Sequence, residues 1–264
     1  MKHLIVSLLL TTTLSAPAVQ PPAGGAPARH ILMVVANPAV ATTTGWPVGF
    51  WAAELTHPYW IFTRHGYQVT IASPAGGRVE LDAYSDPRAD NGYSAHDALS
   101  LGYLHMTNFT ALLQNTPALD TVKVEDYDAI VVAGGQSPMF TFVDNEKLHQ
   151  LFAAFYEAGK VSAALCHGTC ILLKTKGSNG ELLAAGKRIT GFANSEEDYA
   201  DQAVGQKVMP FRIEDEARTL GLNFVTGPAF QPHAIRDGLL ITGQQQNSGE
   251  EVARLVIESL ENEP

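Results

Sequence analysis

The chain has 264 residues, 45% of them hydrophobic, which suits one sizeable domain with a well-buried core. Seventeen basic against 27 acidic residues give a net charge of −10, which argues against a nucleic-acid partner and against anionic membrane surfaces. Its two cysteines, Cys166 and Cys170, lie too close together on one predicted helix to staple the fold.

The first residues read as a leader. Lys2 and His3 precede an apolar run from Leu4 to Leu10, then Thr11 to Leu14 and small residues, the layout of a secretory signal peptide. The run is too short to span a bilayer. Ala16-Pro17-Ala18 offers a small-x-small cleavage site, with Ala26-Pro27-Ala28 as a competitor. The expectation is a signal peptide over residues 1–18, a Pro-, Gly- and Ala-rich linker over 19–28 and a single α/β domain over 29–264. The protein is then exported, either to a periplasm or out of the cell.

From Arg29 onward strand and helix patterns alternate. His30 to Ala36 is an apolar run bounded by Asn37-Pro38, hence a buried strand, and Pro58 to His65 is helical and stops at Gly66. Gln68 to Ala72 is the next strand, closed by Ser73-Pro74 and Gly76-Gly77. An irregular stretch rich in Asp, Tyr and Ser runs from Arg78 to Ser94, and a helix covers Asn108 to Asn115. Asp128 to Ala133 is a buried strand ending in Gly134-Gly135, and Lys147 to Ala158 is a helix that stops at Gly159. Val161 to Leu165 is a strand running into Cys166 and a further helix. Lys187 to Thr190 and Phe224 to Thr226 read as strands, and Asp237-Gly238 reads as a hairpin turn. Ser248 and Glu251 announce a capping box for the last helix, Gly249 to Leu260. This alternation predicts a mainly parallel sheet with helices on both faces, and ligands in such sheets sit at the carboxyl ends of the strands.

The chemistry is expected at Ala164-Leu165-Cys166-His167-Gly168. A nucleophile on a sharp strand-to-helix turn needs small neighbours two residues to each side, and Ala164 and Gly168 supply them. The N-terminus of the following helix would favour the Cys166 thiolate over the thiol. The competing reading, an inert buried cysteine chosen for its size, suits Cys170 better than Cys166. Three further segments converge on the same edge. Glu54 lies in a loop just before His57-Pro58, with Pro58 placed as the first residue of a helix. Buried under Trp46, Phe50 and Trp51, its carboxyl would have a raised pKa and would exchange a proton near neutrality, whereas on this segment alone a solvated surface glutamate is the plainer reading. Gly134-Gly135-Gln136 is either an ordinary glycine turn or a source of oxyanion-binding N–H groups. Glu196 and Glu197 form either an exposed acidic turn or the partner that orients the His167 ring.

These segments resemble a family. Gly49-Phe50-Trp51-Ala52-Ala53-Glu54, then Pro58, Gly66 to Val69, Ala72 to Gly77, Tyr127 to Gly135, Ala164 to Gly168, Gly191 to Glu197 and Leu240 to Gln244 are together similar to the ThiJ/PfpI superfamily. The nearest branch is that of the glutathione-independent glyoxalases (glyoxalase III) and related stress chaperones. The resemblance covers Arg29 to Leu260. It implies a flavodoxin-like three-layer α/β sandwich of the class I glutamine amidotransferase-like type, commonly a homodimer. It also implies that Cys166 is the nucleophile with His167 beside it, that Glu54 contacts the thiol, and that Glu197, or less surely Glu196, partners the histidine. The loop Gly134-Gly135-Gln136 departs from the Gly-Gly-His-Gly usual in the family, and Thr169 stands where many relatives have proline. No histidine pair lies near Glu54, so no metal is carried over, and no cofactor is needed.

What the resemblance implies in function is conversion of methylglyoxal or a related 2-oxoaldehyde to a 2-hydroxy acid, in a site with Gly134, Gly135, Gln136 and Trp51 at the substrate; the sequence itself suggests that Trp46, Trp51 and Phe140 crowd it. The partner is a small-molecule aldehyde, with no nucleic acid and no membrane. Other readings are a stress chaperone or protein deglycase of the same superfamily, using apolar surface in the stretch Tyr84 to Tyr103, and a cysteine hydrolase acting on an amide or peptide. A peroxide-linked redox role is a fourth.

Overall fold

The computed structural model describes residues 28–262. The leader expected over 1–18 and the linker over 19–28 fall outside the described residues, save Ala28. Ten strands follow: β1 (His30–Val34), β2 (Ala39–Val40), β3 (Pro47–Val48), β4 (Gln68–Ala72), β5 (Ala129–Val132), β6 (Val161–Leu165), β7 (Arg188–Ile189), β8 (Asn223–Phe224), β9 (Ala234–Asp237) and β10 (Leu240–Gly243). Six of them form the central sheet in the order β4-β1-β5-β6-β10-β9, parallel throughout except for the β9–β10 hairpin. The helices are α1 (Ala52–Arg64), α2 (Ala98–His105), α3 (Thr107–Gln114), α4 (Pro138–Thr141), α5 (Glu146–Glu157), α6 (Asn194–Val204), α7 (Ile213–Thr219) and α8 (Gly249–Glu261).

The strands read as unbroken apolar runs because both faces of the sheet are covered. Alternation along each strand sends Leu32, Val34, Ile130, Val132 and Ala164 to one face, where they meet Phe152 and Phe155 of α5 and Ile213 of α7. Ile31, Met33, Val131, Ala163 and Ile241 go to the other, against Leu55 and Phe62 of α1 and Val252 and Val256 of α8. Each of the Val, Leu, Ile, Met and Phe side chains among them contributes roughly 1.5–3 kcal/mol on burial. The result is the expected flavodoxin-like three-layer α/β sandwich.

Several local expectations are corrected. Pro58 is not the first residue of its helix: α1 begins at Ala52, and Pro58 sits inside it. The apolar face formed by Ala52, Ala53, Leu55, Ile61 and Phe62 packs α1 onto the sheet and outweighs the bond that Pro58 cannot donate. Glu54 therefore projects from the first turn of a helix rather than from a loop. The last helix forms as expected, but Ser248 makes no side-chain cap to it; the Ser248 hydroxyl instead accepts the N–H groups of His233 and Gln245 and ties the helix start to the strand ends. Helix α2 lies within a stretch that shows no helical periodicity, and is capped by Asp97, which accepts the Ser100 N–H at 3.0 Å. Tyr103 packs on Tyr59 and Phe109, so the tyrosine-rich stretch is not one continuous apolar surface.

Candidate active site

Strand β6 ends at Leu165, and the chain turns sharply at Cys166, whose φ of 56° is left-handed and strained for a residue with a side chain. A tight 3₁₀ segment, Cys166–Leu173, follows. The elbow brings the backbone close to β5: a Cβ on Gly168 would stand 2.7 Å from the Ala133 carbonyl oxygen, so only glycine fits. Thr169 locks the turn, its hydroxyl donating to the Cys166 carbonyl at 2.7 Å.

Cys166 is buried, and the backbone N–H groups of His167 and Gly135 point at its sulfur. Gly135 is placed to do this by a φ of 99°, with its Cα pressed against the Phe50–Trp51 backbone. Glu54 is wholly buried beside the thiol. Its Oε2 accepts the Gly134 N–H at 2.6 Å, while Oε1 has no hydrogen-bond partner. Burial raises the Glu54 pKa from 4.5 to about 8, helped by the charge of Asp82 and opposed by the Cys166 and Gly134 contacts. The carboxyl is thus buried and raised in pKa, as the segment under Trp46, Phe50 and Trp51 leads one to expect.

The expectation of a lowered thiol pKa is corrected. Burial and the adjoining Glu54 push Cys166 well up, and the two amides that oppose the rise do not outweigh them. The segment behind Cys166 is a 3₁₀ turn rather than a regular α-helix, so the aligned peptide dipoles expected there are weaker. Because the two acids touch, they titrate as one unit. Charge that develops on sulfur is met by the His167 and Gly135 N–H groups.

His167 lies with Nδ1 3.8 Å from the Cys166 sulfur and Nε2 3.0 Å from Glu197 Oε1, all three side chains being buried. Phe192 packs along the ring with centroids 4.2 Å apart. The neighbouring Glu196 turns the other way, accepting the N–H groups of Ala193 and Phe230 and the Gln244 side-chain amide. Of the two glutamates, then, Glu197 is the one that meets the histidine.

Above the sulfur opens a cavity of about 210 Å³. Trp46, Trp51 and Gln136 line it as expected, whereas Phe140 does not: it packs against the core on the α5 face of the sheet. Gln136 Oε1 is buried and unpartnered. Of the three residues expected as oxyanion donors, Gly134 gives its N–H to Glu54, Gly135 aims its N–H at the sulfur, and Gln136 is held by its backbone, donating to Asp82 Oδ2 at 2.6 Å.

Asp82 is a site residue that the sequence does not signal. It is buried, its Oδ1 accepts the Gly49 N–H at 3.0 Å, and desolvation raises its pKa from 3.8 to about 6 against those bonds and the nearby His167. It comes from the irregular Arg78–Ser94 stretch, where no periodicity or motif marks it. Tyr93, Tyr199, Met209 and Phe230 also line the cavity from segments with no such mark. Among the described residues, no group of three or more His, Cys, Asp or Glu side chains is arranged to hold a metal ion. Among the same residues, no helix is long and apolar enough to cross a membrane.

The model of the DJ-1/PfpI family matches residues 47–259. The chain belongs to the DJ-1/PfpI family. Along 80% of its length it is 29% identical to the probable glutathione-independent glyoxalase hsp3103 of Schizosaccharomyces pombe, covering 90% of that protein. It is 27% identical to the glutathione-independent glyoxalase HSP31 of Saccharomyces cerevisiae, over 90% of this chain and all of that one. Among solved structures, the 24 kDa rapid encystment protein of Francisella tularensis superposes with a TM-score of 0.79 at 29% identity, covering 88% of this chain and 99% of the other. These relatives correct the expectation of export. It rested on residues outside those described, and a kinship with Hsp31-type yeast glyoxalases points away from an exported enzyme.

Proposed function

We propose that the protein is a cysteine-dependent, glutathione-independent glyoxalase that converts a 2-oxoaldehyde to a 2-hydroxy acid. The observation that carries this reading is the wholly buried Glu54 carboxyl set against the Cys166 thiol, one oxygen on the Gly134 N–H and the other with no donor besides that thiol. A plain cysteine hydrolase needs a nucleophile and a histidine; an isomerase needs in addition a base that can carry a proton between two carbons. The names of the yeast relatives agree with this choice.

In the proposed reaction the Cys166 sulfur adds to the aldehyde carbon C1, forming the S–C1 bond of a hemithioacetal, as the thiol proton passes by way of Glu54 to O1 and leaves Glu54 a carboxylate, while the Gly135 and His167 amides hold the developing charge. Glu54 takes the hydrogen of C1 as a proton and returns it to C2. His167, oriented by Glu197, relays the hydroxyl proton from O1 to O2. C1 is thereby oxidised to a thioester and C2 reduced to an alcohol within one molecule. Water then breaks the S–C1 bond, releasing the hydroxy acid and the thiol. Catalytic roles for Cys166, His167, Glu54 and Glu197, substrate contacts from Gly135, Gln136 and Trp51, and a positioning role for Gly134 through Glu54 are all part of this proposal. So is the homodimer implied by the family resemblance; light scattering at micromolar concentration that returned a monomer mass would contradict that element.

The test is lactate formation from methylglyoxal without glutathione. Turnover by the wild type that is lost in Cys166→Ala is expected. No turnover by folded, reduced wild type, or equal turnover by the variant, overturns the reading.

A further inference from the structure

The cavity over Cys166 is roomier and more apolar than a methyl-bearing substrate requires. An apolar protein cavity of about 150 Å³ takes up benzene, and this one measures about 210 Å³. An aryl ring with its two-carbon dicarbonyl fits that space, whereas the methyl group of methylglyoxal leaves most of the wall without contacts. Of the polar groups of the lining, His167 and Glu197 sit beside the sulfur, and the others are the uncharged Gln136, Gln246 and tyrosine side chains. Neither lysine nor arginine lines the cavity, so a carboxylate on the substrate would find no counter-charge.

The rest of the wall is built from rings. Trp51 meets Tyr93 edge to face at 5.9 Å, Tyr93 meets Tyr84 at 6.0 Å, and Tyr199 meets Phe230 at 5.1 Å. A further ring can join such a lattice in the same geometry. Phe230 adds an independent sign. Its φ of 55° is costly for an aromatic residue. The strain is held by its N–H donating to Glu196 at 3.0 Å and its carbonyl accepting the Asn247 side-chain amide at 2.8 Å. Backbone held in this way, presenting a ring to a cavity, is what a ligand clamp requires.

Resting on the glyoxalase reading, we propose that the preferred substrate is a neutral 2-oxoaldehyde bearing an aryl or similarly bulky apolar group. Its ring sits between the Tyr199–Phe230 and Trp51–Tyr93 pairs. The chemistry is unchanged: for phenylglyoxal the S–C1 bond forms, C1 is oxidised as C2 is reduced, and water releases mandelate.

The experiment measures kcat/KM for phenylglyoxal and for methylglyoxal, without glutathione, in the wild type, in Ala200→Trp, which fills the cavity from α6, and in Phe230→Gly. The glycine keeps the left-handed backbone and removes only the ring, so it stays folded if the tryptophan variant does not. We expect the wild type to favour phenylglyoxal by about tenfold or more, and each variant to lower that ratio by several-fold to about tenfold. A ratio at or below one with lactate still forming overturns the substrate class and leaves the glyoxalase reading standing. A high ratio that neither variant moves assigns the preference to the intrinsic reactivity of phenylglyoxal and overturns the aryl site. Turnover of neither aldehyde by folded wild type overturns the glyoxalase reading and this one with it.

Discussion

Glu54 and Glu196 are both wholly buried carboxyls in the first turn of a helix at the same edge of the sheet, yet their surroundings differ in kind. Glu196 accepts three hydrogen bonds, from the Ala193 and Phe230 N–H groups and from Gln244, and so fastens the start of α6 to two loops. Glu54 accepts one, from Gly134, and faces a thiol. Burial raises the pKa of both, but at Glu196 the three donors oppose the rise. The three donors limit what burial of the Glu196 charge costs and use it to fasten loops; the under-satisfied Glu54 bears that cost with one donor and holds a proton it can exchange.

Substitution at and around the two carboxyls separates their roles. The largest effect is expected at the nucleophile: Cys166→Ser should lower kcat by about a thousandfold or more, because the hydroxyl is a far weaker nucleophile at neutral pH. Activity near wild type would remove the thiol from the mechanism. Next comes Glu197→Gln, which keeps the shape beside His167 and replaces the carboxylate that meets its Nε2 with an amide. A fall in kcat of about a hundredfold with little change in Tm is expected, and an unchanged kcat would make the pair purely structural. Glu196→Ala should behave in the opposite way. It strands three donors, costing about 3 kcal/mol and lowering Tm by roughly 6–12 °C, while kcat per folded molecule changes by less than about fivefold. The smallest effect is expected at Asp82. As pH falls through about 6 its carboxylate takes a proton and loosens the Gly49 and Gln136 amides. The wild type should therefore lose kcat/KM along an acid limb near that pH. Asp82→Asn should be about three- to tenfold slower, with that limb absent; a limb that persists would assign it to another group.

Much of the fold is legible in the sequence, because a sheet buried on both faces writes itself as apolar runs closed by glycine and proline. Gln68–Ala72 and Val161–Leu165 are read to the residue, and the Asp237-Gly238 hairpin follows from its turn. Legibility fails where tertiary packing overrides a local rule. Pro58 looks like a helix start and lies in a helix interior, and Ser248 looks like a cap and serves a loop instead. The site is legible where one segment carries a motif, as at Cys166-His167, whereas Glu54 stands out only through the family resemblance, since on its own segment it reads as a surface glutamate. The choice between Glu196 and Glu197 is not legible, because two adjacent residues of one helix turn face different partners only once the Phe230 loop is in place. Asp82 and the aromatic wall are equally silent, since they come from irregular chain whose course is set by contacts rather than by period.

The central claim is that Glu54 trades stability for proton transfer, and Glu54→Gln tests it most directly. The raised pKa means that the folded protein holds a proton which the unfolded chain has lost. The resulting penalty on the fold is absent below pH 4.5, grows as pH rises and levels off above about 8. Glutamine keeps an acceptor for the Gly134 N–H and removes the ionisation. Turnover of the 2-oxoaldehyde and Tm are measured on the same samples from pH 4.5 to 8. The account predicts that Glu54→Gln loses kcat by about 10²–10⁴-fold, while its stability relative to wild type rises with pH, by on the order of 3 kcal/mol at pH 7. A variant that keeps its turnover, or one that loses stability relative to wild type as pH rises, would contradict it.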